Sequence, residues 1–317
     1  MQSPSSKVVV LGSGGTIAGT AANAADNIGY QAAQLGVAQL VAAVPLLAGV
    51  PLESEQVAQV DSKDMSFAIW LALARRVEHH LARADVSGIV ITHGTDTLEE
   101  TAYFLQRVLA PAKPVVLTAA MRPSTALLSD GPQNLLDAVT LARTDGARGV
   151  LAVLAGAVHA AHDVRKLHSY RVDAFGSGDA GATALIEEGR VRCLREWPRG
   201  EAMGSSALPA DPLAWPAVEI VTSHAGASGR LVQAALACGV RGIVVAGSGN
   251  GSVHQELESA LELAQHAGVM VWRSTRCLDG PVQAKSSDRL PSAGTLTGVK
   301  ARIEVMLQLM GAAQPVE

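Results

Sequence analysis

The chain has 317 residues and 48% hydrophobic content, enough to bury a large core, and at this length single cores tend to split, so two domains are expected. A formal net charge of −4 offers no basic field for nucleic acid, and no uninterrupted apolar stretch is long enough to cross a membrane. Cys193, Cys238 and Cys277 are odd in number and lack C-x-x-C spacing, which argues against a disulfide framework or a zinc site; with no signal-peptide pattern in MQSPSSK, a cytoplasmic protein is predicted.

The first predicted element is a strand at Val8–Leu11, four apolar residues without polar alternation, as in a parallel strand covered on both faces. It runs into Gly12-Ser13-Gly14-Gly15, and Thr16 follows at once. Glycines permit a tight turn at the strand's carboxyl end and leave backbone N–H groups open to a ligand. Two readings of this loop compete. Gly12, Gly14, Gly15 and Gly19 loosely follow the dinucleotide pattern G-x-G-x-x-G, but Asp26 comes too early for its acidic partner and no second strand precedes it. The other reading makes Thr16 a nucleophile at a strand end.

Residues 20–33 are rich in Ala, Asn, Asp and Gly with Tyr30 as their only aromatic, a composition suited to a lid, or to a loop that Tyr30 anchors by packing. A short helix is predicted over Gly36–Val44 and a strand over Gln56–Val60, ending in Asp61-Ser62-Lys63-Asp64. Phe67, Trp70, Ala74, Val77 and Leu81 recur at helical spacing, with Arg75, Arg76, Glu78, His79 and His80 placed on the solvated side. Gly88–Thr92 is the next buried strand, running into His93-Gly94-Thr95-Asp96-Thr97 and then a helix over Leu98–Leu109 with Glu99 and Glu100 in its first turn. This unit mirrors the first. If the two strands are neighbours, Thr16 and Thr95 face one another where open α/β sheets bind ligands.

A strand over Pro114–Thr118, a polar loop, a helix over Gly131–Asp145 and a strand over Gly149–Leu154 follow. His159 and His162 lie in a predicted loop with no third ligand at suitable spacing, so no metal site is expected. Residues 193–216 carry four prolines and two tryptophans and read as a linker. Strand-helix units then resume: Val218–Thr222, Gly229–Cys238, Gly242–Ala246, Glu256–His266, Val269–Arg273 and Val299–Met310. The expected architecture is two-domain α/β: a larger, doubly wound, mostly parallel N-terminal sheet over 1–192, a linker over 193–216 and a smaller α/β layer domain over 217–317.

The residues resemble those of bacterial-type L-asparaginases, members of the asparaginase/glutaminase superfamily of threonine amidohydrolases. Gly14-Gly15-Thr16-Ile17-Ala18-Gly19 is similar to the family's first signature and Thr92-His93-Gly94-Thr95-Asp96-Thr97-Leu98-Glu99-Glu100-Thr101 to its second. Ala120-Met121-Arg122-Pro123-Ser124-Thr125, with Asp130-Gly131-Pro132 and Asn134-Leu135, is similar to the segment that follows. The resemblance implies hydrolysis of L-asparagine to L-aspartate and ammonia without a cofactor, through a homotetramer built from intimate dimers. Thr16 would be the nucleophile, Tyr30 its lid partner, and Thr95, Asp96 and Lys166 a second polar cluster. Gly15, Ser62, Lys63, Gly94 and Ser252 would join Thr95 and Asp96 in binding substrate, Ser252 across the dimer interface. The chemistry is consistent with this: a threonine hydroxyl is a poor nucleophile that needs an adjacent base, and backbone N–H groups near Gly15 and Thr95 suit an oxyanion.

Two positions and one segment depart from the family pattern. Lys63 stands where many members have Gln or Glu against the substrate's α-amino group, and is expected to turn outward or reach a carboxylate, because like charges repel. Ser252 replaces a common Asn, and the segment Asp279–Leu290 is shorter than in the secreted enzymes, with no counterpart of their cross-subunit glutamate. These changes leave glutaminase, another small-amide hydrolase, or a binding protein of weak turnover as alternatives.

Overall fold

The computed structural model describes residues 6–312, which fall into two compact units divided between Ser205 and Ser206. The first unit begins with β1 (Lys7–Gly14), α1 (Val37–Ala42), β2 (Leu52–Val60), α2 (Phe67–Leu81), β3 (Val86–Thr92), α3 (Leu98–Leu109), β4 (Pro114–Thr118), α4 (Gly131–Ala142) and β5 (Gly149–Leu154). It continues through β6 (Ala157–Ala160), β7 (Arg165–Lys166), β8 (Phe175–Gly176), β9 (Ala184–Glu187) and β10 (Arg190–Cys193). An eight-stranded sheet has the order β10-β9-β6-β5-β4-β3-β1-β2. Its β2-β1-β3-β4-β5 portion is parallel, and β6, β9 and β10 extend it antiparallel. Strands β7 and β8 pair separately.

Valines and leucines make the parallel strands because both faces are covered. Val8, Val9, Val10 and Leu11 of β1 and Ile89, Val90 and Ile91 of β3 are fully buried. On α2, Ser66 caps the start by accepting from the Ile69 N–H, and Trp70, Leu71, Leu73, Ala74 and Val77 form the buried stripe.

Two expectations need correction here. His80 is buried, 2% exposed, instead of solvated. The cause is β2, which starts at Leu52 and not Gln56 and so brings Glu53 and Glu55 under α2. Glu55 takes two hydrogen bonds from Arg76 (2.6 and 2.7 Å) and shares a third with His80 Nε2 (2.8 Å), while Arg83 chelates Glu53. The Arg76 guanidinium holds the Glu55 carboxyl below the usual range. The second correction is the end of α4, which stops at Ala142 instead of Asp145, and the chain turns through Gly146 at φ 77° into β5.

The second unit carries β11 (Val218–Thr222), α5 (Arg230–Ala237), β12 (Gly242–Gly247), α6 (Gln255–His266), β13 (Met270–Thr275) and α7 (Gly298–Ala312). Its three strands are parallel in the order β11-β12-β13, over a core that includes Ile243, Val245, Leu257 and Leu261. Between β10 and β11 lie short 3-10 turns at Ser205–Ala207 and Pro212–Ala214. No helix among the described residues is long and apolar enough to cross a membrane.

Candidate active site

The parallel part of the large sheet places the site by topology. From β1 the chain crosses outward to β2, then returns to β3 on the other side of β1 and continues to β4 and β5. Connections therefore leave β1 and β3 in opposite directions, and their carboxyl ends border the crevice where such sheets bind ligands. Thr16 follows β1 and Thr95 follows β3, which is paired directly with β1. The carboxyl end of β2, on the other flank of β1, delivers Ser62.

Close approach of the three strand ends depends on glycine. Gly15 sits at φ 82°, a conformation that L side chains avoid, and donates to the Val60 carbonyl at 2.8 Å. A Cβ there would fall 2.3 Å from the Gly94 Cα, so the two threonine turns touch through backbone. A Cβ on Gly94 would lie 2.4 Å from Ser62 Oγ. Ser62, 2% exposed, accepts from the Asp96 N–H at 3.2 Å, and its carbonyl accepts from the Thr97 hydroxyl at 2.8 Å.

Thr16 and Thr95 are each 6% exposed. Thr16 Oγ1 shares a 2.7 Å hydrogen bond with the Tyr30 hydroxyl. Lys166 Nζ donates to Thr95 Oγ1 at 2.9 Å and to Asp96 Oδ1 at 2.6 Å. The sheet thus gathers Gly15, Thr16, Tyr30, Ser62, Gly94, Thr95, Asp96 and Lys166. Lys63 is directed elsewhere, ion-paired with Asp64 (2.7 Å) and Asp61 (3.4 Å), its side chain 62% exposed. Asp64 and then Asp61 hold the Lys63 ammonium above its ordinary value.

Reading the residues alone missed several supports. Glu99, read as a helix-dipole partner, accepts from the Lys166 backbone N–H at 3.3 Å. The segment that carries Tyr30 is fastened at its base, where Ser124 donates to the Gly19 carbonyl and Thr125 Oγ1 accepts from Ala21. Asp130 in turn accepts from the Met121 and Arg122 N–H groups, which holds that loop in shape. Their presence in the motif-bearing segment 120–134 was the available signal. His159 lies on β6 instead of in a loop, with Nδ1 2.8 Å from Ser177 Oγ, and the His162 ring lies against Tyr103.

Ser252 belongs to the second unit. Its backbone bridges to Ser248 (2.7 and 2.9 Å), and it lines a cavity of about 250 Å³ with Ser223, His224, His254 and Arg276. Neighbouring Asn250 grips both backbone groups of Gln283, at 2.8 and 3.0 Å, which ties this loop to the segment 277–291.

Residues 7–199 match the asparaginase N-terminal family and residues 217–316 the glutaminase/asparaginase C-terminal domain. L-asparaginase 2 of Bacillus subtilis is 38% identical over 312 residues, 96% of this chain and 83% of that protein. Glutaminase-asparaginase of Pseudomonas fluorescens is 37% identical, over 95% of this chain and 86% of that protein. The crystal structure of a probable cytoplasmic L-asparaginase from Campylobacter jejuni superposes with a TM-score of 0.90 at 38% identity, covering 96% of this chain and 95% of that one. The chain therefore belongs to the glutaminase/asparaginase family.

Proposed function

We propose that Thr16 is the nucleophile with which this enzyme, an L-asparaginase, converts L-asparagine to L-aspartate and ammonia. The observation that carries the reading is the meeting of two hydroxyl-bearing turns, Thr16 with Tyr30 and Thr95 with Lys166 and Asp96, at one topological switch point. Thr16 Oγ1 attacks the side-chain amide carbon as its proton passes to the Tyr30 hydroxyl, which gives up its own hydrogen in turn, so that one proton is delivered to the leaving nitrogen. The carbonyl oxygen becomes an oxyanion facing backbone N–H groups of the two turns. Its collapse breaks the C–N bond, nitrogen leaves as ammonia, and water then cleaves the threonyl ester to the carboxylate. The Thr95–Lys166 pair relays protons, and no cofactor is required.

Ser62 and Asp96 hold the substrate's α-carboxylate and α-amino groups. With Lys63 committed to Asp61 and Asp64, Asp96 is the principal ammonium partner. The catalytic domain is 1–192, joined by the linker 193–216 to a C-terminal domain over 217–317. The protein assembles as an intimate homodimer or a homotetramer in which Ser252 reaches a neighbouring site, and it works in the cytoplasm. Monomers in light scattering would overturn that assembly.

Glutamine is the second substrate to consider, because relatives at nearly equal identity are named for asparagine alone and for both amides. The deciding experiment is ammonia release from L-asparagine and L-glutamine by the wild type, Thr16→Ala and Thr95→Ala. Release that both substitutions abolish supports the reading. Its absence from a folded wild type with either amide sinks it.

A further inference from the structure

Beneath the second threonine turn lies a chain of buried hydrogen bonds that the proposed mechanism does not use. The Trp70 indole N–H donates to Thr101 Oγ1 at 2.9 Å, Thr101 Oγ1 lies 2.9 Å from His93 Nε2, and His93 Nδ1 lies 2.7 Å from the Gly94 carbonyl oxygen. His93 and Thr101 are fully buried, and Trp70 is stacked on Phe104 with ring centroids 4.8 Å apart. The partners determine the proton positions. A carbonyl only accepts, so Nδ1 carries the hydrogen. An indole only donates, so the Thr101 hydroxyl hydrogen is free for Nε2. Every donor in the chain then has one acceptor, with the ring neutral.

Geometry passes this constraint to the active site. The Gly94–Thr95 peptide is planar and trans, so its N–H points opposite to its C=O. The carbonyl end is drawn to the buried His93 ring, and the Thr95 N–H must face the other way. Gly94 has little room to yield, being confined between the Gly15 backbone and the Ser62 side chain.

We propose that His93 is a positioning residue: by holding the Gly94 carbonyl it aims the Thr95 N–H at the oxygen of the amide under attack. This rests on the amidohydrolase reading above. Burial also pushes the His93 imidazole down to about 4, so the ring stays neutral and the relay keeps its direction through the neutral range.

The test compares ammonia release from asparagine, as kcat and KM, in the wild type, His93→Leu and His93→Asn, with ¹⁵N NMR of the wild-type imidazole. Asn places an amide donor near the Nδ1 position, whereas Leu fills space without a donor. Removing an oxyanion donor typically lowers turnover about 10²–10³-fold; here the donor remains but loses its aim, so His93→Leu is expected to lower kcat about three- to ten-fold with KM unchanged. His93→Asn should recover most of that loss, and the wild-type ring should show the Nδ1–H tautomer. A folded His93→Leu with wild-type kcat, or Asn and Leu equally impaired, overturns the proposal. If His93→Leu does not fold, Thr101→Val serves: mixed tautomers with lowered kcat support the relay, and mixed tautomers with wild-type kcat refute it. An Nε2–H ring in an active wild type overturns the positioning alone, whereas a wild type without turnover removes the amidohydrolase reading and the proposal together.

Discussion

Thr16 and Thr95 each follow a buried strand of the same sheet, yet the chain around each is held by different means. Around Thr95 the supports are buried side chains: His93 on Gly94, Thr101 and Trp70 behind His93, and Ser62 on the Asp96 N–H. Around Thr16 the supports are backbone contacts, and its side-chain partner Tyr30 comes from a segment exposed over most of residues 22–29. A site that admits a small ligand and then closes over it needs one wall that keeps its donors in place and one that moves. In this molecule a shared strand-end geometry carries buried side-chain braces at one turn and an exposed segment at the other, and the difference arises from what lies beneath each turn.

The contact between the two turns is the first place to break that arrangement. Gly15→Ala puts a methyl 2.3 Å from the Gly94 Cα at φ 82°. The expected loss is about 3 kcal/mol in urea unfolding, with turnover reduced about 10²-fold or more as the fixed wall is displaced. A stability change of a few tenths would show that the turns are not in contact.

Acid should act on the second turn. An unfolded chain binds a proton on His93 near the ordinary histidine value of 6.5, while burial keeps the folded residue neutral down to about 4. Protonation therefore favours unfolding. The contribution is complete above about pH 6.5 and declines by about 3 kcal/mol as pH falls toward 4. Denaturant unfolding across that range reads the slope, and His93→Asn should flatten it. An unchanged slope in the variant would assign the acid sensitivity to another group.

The smallest expected effect is at Lys63, in the turn that abuts the fixed wall but with its ammonium on Asp61 and Asp64. Lys63→Gln should change the KM for asparagine less than about three-fold; a decrease beyond about ten-fold would place that ammonium against the substrate.

Period and punctuation made the parallel strands, α2, α3 and most of the second unit legible, since each is set by local apolar spacing and by the glycines, prolines and caps at its ends. Strands β6 to β10 were not legible. They are 2 to 4 residues long, too short for a period to show, and β6, β9 and β10 exist because they pair antiparallel at the margin of an existing sheet. His80 was misplaced for a related reason: helical spacing sorts residues by face but does not reveal a charged strand packed against that face.

Of the site, the sequence by itself determined the chemistry on offer, since a glycine turn followed by threonine can present only a short list of groups. Only the tertiary structure decided that β1 and β3 are neighbours with connections leaving in opposite directions, that Lys166 reaches Thr95 across 71 positions of chain, and that His93 holds a carbonyl. Local propensity acts over a few residues, whereas strand order and side-chain reach are set by which buried surfaces pack together, and no short stretch contains that information.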